Sequence, residues 1–244
     1  MLPESAAILA VIHCPPDMGE KGRPGVRFSV LVLSCGVSCF VSACATSHFA
    51  RPLGRGNVVA QASLGGPLVE VGDAPIAAPT LILGAGYGAT DRVDVFARED
   101  VTAAVYGTLH LEPGVAWHPI VREAGLVPTV TLAGSAHLLT DFHDARVGPQ
   151  LSAIAAWRLG ARHRHLLYVG ADVGTLVPGR VRALAGPLAG AELRVFERAG
   201  LVIEAKWLSA WYDVAPLAPT WISPGDHGYL SILLGCNLYW GDVR

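Results

Sequence analysis

A chain of 244 residues that is 52% hydrophobic and only 16% charged is too apolar for an ordinary soluble domain. Its formal net charge of −2 comes without a basic cluster, so nothing suggests a nucleic-acid partner. Beyond the N-terminal region no segment offers the roughly 20 uninterrupted apolar residues of a membrane helix. With 28 glycines and 17 prolines the chain must turn often, which points to an all-β fold in one domain.

In chain order, Lys21, Arg23 and Arg27 precede an apolar, uncharged run over residues 28–43 that ends at Cys44. This reads as a secretory signal rather than as structure. Pro15, Pro16 and Asp17 separate two apolar runs, so Met18 is the expected true start. Val41-Ser42-Ala43-Cys44 resembles a bacterial lipobox, which implies a lipidated Cys44 at the mature N-terminus. Ala45 in the next position implies, by the same pattern, sorting to the outer membrane. Cys35 is a second candidate, and a plainly cleaved signal or an uncleaved anchor are the alternatives. Residues 1–43 are thus read as extension and signal, 44–57 as lipidated N-terminus and polar linker, and 58–244 as the folded body. Four of the five cysteines crowd the N-terminus, so no intrachain disulfide framework is available, and Cys236 reads as a small hydrophobe.

About ten segments then alternate apolar and polar residues with the two-residue period of a strand. They cover residues 58–64, 80–89, 93–105, 109–118, 127–138, 147–159, 165–174, 188–196, 201–212 and 229–240. Most approach the ~9–11 residues a tilted membrane strand needs. Glu99 interrupts the apolar face of the third segment. Tight connections at 90–92, 160–164 and 197–200 mostly alternate with longer ones at 65–79, 140–146, 175–186 and 213–228. Tyr87, Trp117, Trp157 and Trp240 share the apolar face and each closes a segment on the tight-turn side, the pattern of an interfacial aromatic girdle.

The last segment, Tyr229-Leu-Ser-Ile-Leu-Leu-Gly-Cys-Asn-Leu-Tyr-Trp240, carries apolar residues at every even position, although Leu233 stands where a polar residue is usual. Its aromatic ending resembles the terminal strand of bacterial outer-membrane β-barrels. The resemblance covers most of residues 58–240 and implies a single antiparallel up-and-down transmembrane barrel of about ten strands. It further implies termini on the periplasmic side, a Gram-negative outer-membrane location, contact with membrane lipids and the outer-membrane assembly machinery, and a monomer.

The polar face collects Asp94, Arg98, Asp100, Glu112, Arg158, Asp172, Glu192, Arg194, Glu204 and Lys206, the expected lumen lining. Charges of both signs in a narrow interior should be paired, so the expected interior is filled by salt bridges rather than open. Glu192, Arg194, Glu204 and Lys206 are expected to form one cross-strand cluster. The reading is non-enzymatic: envelope structure, surface interaction through the longer loops, or limited passage of small solutes. The alternatives are a lipid-modifying barrel enzyme, for which Ser135, His137, His110 and Glu112 supply suitable residue types, and a soluble lipocalin-like carrier with its apolar face inward. His137, His143, His163 and His165 lack ligand spacing, so neither metal nor cofactor is expected. Gly84, Gly86 and Gly88 lie in a strand with no following helix, which excludes a phosphate loop and suggests glycines that leave lumen space or permit curvature.

Overall fold

The structure, a computed structural model, describes residues 47–71, 74–123, 125–160, 164–176, 182–211, 222, 224 and 227–241. The alternating segments become strands β1 (Val58–Val71), β2 (Ala74–Ala77), β3 (Thr80–Gly88), β4 (Val93–Asp100), β5 (Leu109–Ile120) and β6 (Thr129–Thr140). They continue as β7 (Ala145–Leu159), β8 (His165–Leu176), β9 (Arg182–Arg194), β10 (Ala199–Leu208) and β11 (Tyr229–Trp240). Each long strand pairs antiparallel with the next, and β11 returns to β1 with Val58 opposite Trp240 and Pro67 opposite Ser231. Ten strands therefore close into an antiparallel barrel with no edge exposed to lipid or to another chain. β2 is outside this count; it folds back on the end of β1, Leu68 opposite Ala77.

Alternation places the two faces. Leu234 is 58% exposed on the outside, while its neighbour Leu233 points inward and is fully buried. Leu83, Val115, Leu151, Val169 and Leu201 share the outward face, and the charged residues share the inward one. Apolar outside and polar inside is the arrangement of a barrel that crosses a membrane, and the reverse of a lipocalin-like carrier. Tyr87, Trp117 and Trp240 are half exposed at one end of the barrel. Trp157 joins them, its Nε1 donating to the Leu126 carbonyl at 2.9 Å.

Several boundaries differ from expectation. The segment expected as a strand to residue 105 stops at Asp100, whose carboxylate accepts the Ala103 amide at 3.0 Å and caps a short helix α1 (Val101–Val105). A carboxylate three residues before a free amide is a capping arrangement, and it outcompetes continued alternation. β1 runs on to Val71 where a loop was expected, and β9 begins at Arg182 rather than 188. The connection at residues 141–144, expected among the longer ones, is tight.

The largest correction concerns the linker. Residues 47–53 are buried inside the barrel, not extended outside it. They descend the lumen toward the girdle end, where Gly54 and Gly56 take φ of +76° and +80° and reverse the chain into β1. Gly56 donates to the Gly88 carbonyl at 2.8 Å and Gly88 to that of Asn57 at 2.9 Å, pinning the reversal to the end of β3. Cys44, Cys35 and Met18 lie outside the described residues.

Candidate functional site

The lumen is occupied by a plug made from the chain itself, and the wall is shaped to receive it. On β3 the inward positions 84, 86 and 88 are glycine. A Cβ at Gly84 would stand 3.3 Å from the Phe49 ring, and one at Gly86 3.4 Å from Leu53 Cδ1 and 3.0 Å from Val59. At Gly88 it would collide with the Gly54 carbonyl at 1.8 Å. The glycine run leaves lumen space, and the plug's backbone fills it. Phe49 packs on Phe96, ring centroids 5.8 Å apart, under the guanidinium of Arg98. Ala50 sits against Ile154, Ala156, Leu166 and Tyr168.

Polar clamps hold the plug at three levels. At mid-lumen, His48 Nδ1 lies 3.2 Å from Glu204 and its Nε2 lies 3.0 Å from Asp172 and 3.2 Å from Ser152 Oγ. The His48 amide donates to Glu204 at 3.1 Å, and Tyr168 donates its hydroxyl to the same carboxylate at 2.8 Å. Lys206 Nζ stands 3.1 Å from Asp172 and 3.3 Å from Glu204. With a carboxylate beside each ring nitrogen, a doubly protonated His48 offers a donor to both. Two cations then balance two anions in a site without water access, where an unpaired charge is costly.

Lower down, Arg51 Nε donates to Glu192 at 3.1 Å and its Nη2 to the Arg164 carbonyl at 2.7 Å. Glu192 also accepts from Arg194 at 3.2 Å, from Asn237 at 3.1 Å and from the Tyr239 hydroxyl. At the girdle end the Leu53 amide donates to Asp94 at 3.0 Å, and His118 holds that carboxylate at 2.8 Å.

All ten residues singled out as lumen lining face the interior, but they group differently from expectation. Glu192 and Arg194 of β9 stand opposite Val202 and Gly200, so Glu204 and Lys206 lie further along the barrel. The register thus splits the expected single cluster into two, one around His48 and one around Arg51. Arg98 and Glu112 pair at 3.0 Å. Asp100 serves as the helix cap rather than as lumen lining. Arg158 makes no hydrogen bond or ion pair with a described residue.

Ser135 does not pair with His137: its hydroxyl donates to Glu112 at 2.8 Å, and His137 is held by His110 at 3.0 Å and Gln150 at 2.7 Å. The Ser135–His137 pair weighed for a lipid-modifying enzyme is therefore not brought together. Among the described residues no cluster of His, Cys, Asp and Glu could hold a metal, and His163 lies outside them. Outside the lumen, Asp141 in the 141–144 turn accepts the Asp144 and His143 amides, which hold its carboxyl below the usual range. Sequence reasoning missed His48, Phe49, Arg51 and Leu53, because a seven-residue segment without a period carries no strand signal.

No protein-family model matches the chain, and no curated protein matches it. Among solved structures it is similar to the translocator domain of the autotransporter NalP from Neisseria meningitidis, with TM-score 0.43 and 10% identity over 87% of this chain and 97% of that one. It is also similar to the outer membrane protease OmpT from Escherichia coli, with TM-score 0.40 and 10% identity over 82% of this chain and 100% of that one. For the outer membrane protein OprG from Pseudomonas aeruginosa the values are 0.32 and 11%, over 78% and 98%. At these identities the likeness concerns the barrel fold alone.

Proposed function

We propose that the protein is a non-enzymatic bacterial outer-membrane barrel held shut by its own Ser47–Leu53 segment. In this reading it acts as an envelope component whose exposed far-end connections meet partners, and it passes small solutes only when the segment is displaced. The observation that carries the reading is the clamp of His48 and Arg51 onto Asp172, Glu204 and Glu192. An open pore would leave those buried carboxylates to water, whereas here each meets a cation from the plug. The girdle end faces the periplasm, and the terminal strand closing on Trp240 is what the assembly machinery reads. Planar-bilayer recording tests the proposal. The wild-type protein should stay closed, and a His48→Ala/Arg51→Ala variant should conduct. A wild-type barrel that conducts steadily would defeat it.

The lipid anchor on Cys44 belongs to the same proposal and rests on the lipobox. Labelled palmitate should enter the wild-type protein and not Cys44→Ala; absence of label from both would leave a plainly cleaved signal.

A further inference from the structure

At the girdle-end mouth of the lumen the charges do not balance. Arg51, Arg194 and Arg158 face the same corner, and the buried wall there supplies one carboxylate, Glu192, already shared by Arg51 and Arg194. Arg158, on the inward face of β7, is only 9% exposed. Arg158 Nε and Arg194 Nη2 are both buried without a hydrogen-bond partner. Buried guanidinium nitrogens without acceptors are rare, because each gives up its hydration for nothing. Arg158 also lines a cavity of about 440 Å³ that opens at this mouth, between the plug's Pro52–Arg55 stretch and the residues Val121 and Glu123. Arg55 and Asn57 add two further donor-bearing side chains to its wall. Two carboxylates also line the cavity: Asp91, which accepts the Arg55 amide at 3.4 Å, and Glu123, an exposed loop residue whose charge acts on Arg158 without a hydrogen bond to it.

We propose that this cavity is a binding site for a small oxyanion of the phosphate class, with Arg158 as its principal ligand. A planar guanidinium presents paired donors that match the oxygens of such a group. The cavity is larger than one ion, so a phosphate bearing a short organic group also fits. The anion supplies the missing acceptor for Arg158 and lies against Pro52 and Leu53, the base of the plug, so its occupancy stabilises the closed barrel. Binding itself depends only on the geometry of this mouth; that the mouth samples the periplasm rests on the orientation proposed above.

The test is calorimetric titration of the full-length folded barrel in detergent. Inorganic phosphate and glycerol phosphate serve as free solutes, and phosphatidylglycerol doped into the micelle as the headgroup source. Saturable one-site binding of a free solute would identify a soluble phosphate, and saturation by the doped micelle alone would identify a headgroup. Either binding should weaken at least about tenfold in Arg158→Gln, as expected for loss of a charge-assisted contact, and partly return in Arg158→Lys. Heat-dependent gel mobility shows that each variant is folded, and Glu123→Gln should tighten binding by removing a competing carboxylate. Absence of binding from all three probes, or equal binding by wild type and a folded Arg158→Gln, overturns the proposal. The topology of the barrel would stand in either case.

Discussion

Replacing His48 by alanine tests whether the plug is clamped or merely present. In the wild type, His48 and Lys206 face Asp172 and Glu204, and all four side chains are at most 5% exposed. Alanine removes one cation and leaves two carboxylates to share Lys206. Breaking a buried pair by deleting one partner costs roughly 3–5 kcal/mol, because the remaining charge keeps its desolvation penalty. Equilibrium unfolding of the barrel in urea and lipid vesicles, or the midpoint of its heat-dependent mobility shift, should register that loss. A second change separates the charge from the packing. Glu204→Gln in the His48→Ala background removes the surplus carboxylate and should recover part of the stability, whereas Glu204→Gln alone should destabilise. A cost below about 1 kcal/mol for His48→Ala, the level of a solvent-screened surface pair, would refute the clamp. So would a double variant that is simply the sum of its parts.

Other expectations follow from the same geometry. Leu234 precedes Trp240 by six positions on β11. At ~3.3 Å per residue and a tilt near 40° this puts it about 15 Å from the girdle, close to the middle of a ~25 Å apolar band. Leu234→Arg should therefore cost about 2–4 kcal/mol and Leu238→Arg about 0–1, read by unfolding in vesicles; equal costs would contradict the assigned depth. Gly86→Leu places a side chain where Leu53 and Val59 already stand, so it should expel the plug and raise single-channel conductance in a folded barrel. Brominated lipids should quench Trp117 and Trp240 most strongly when the bromines lie near the headgroups. Quenching that peaks with bromines at the chain ends would displace the girdle.

The strands were legible because a two-residue period assigns every side chain to a face without knowledge of its partners. Leu233 is the exception: an inward leucine is neither polar nor small, and only the structure shows it filling the interior. Register was not legible, since alternation is unchanged when a strand slips by two residues. That is why Glu204 and Lys206 joined Asp172 and His48 rather than Glu192 and Arg194. Glu99 lies beside Asp100 where β4 gives way to α1, opposite Leu83 of β3 and Leu111 of β5.

The plug left two traces. Asp100 aside, the lumen lining holds five acids (Asp94, Glu112, Asp172, Glu192, Glu204), while Arg158, one of its four bases, forms no ion pair with any of them. His48 and Arg51 bring cations to Asp172, Glu204 and Glu192. The inward glycines of β3 mark where a second backbone must pass. Neither trace has meaning until the barrel is closed, because each is a property of facing walls rather than of a local pattern.

The most direct test of a plugged barrel is the reactivity of a single thiol at Ala50, which is 4% exposed beneath Ile154 and Tyr168. With the remaining cysteines replaced, Ala50→Cys changes the volume little and reports whether this stretch is inside the wall. A membrane-impermeant maleimide should leave the thiol unlabelled in the unheated barrel and label it fully after boiling. Rapid labelling of the unheated, folded protein would mean that residues 47–53 hang outside as a linker and that the lumen is closed by something else.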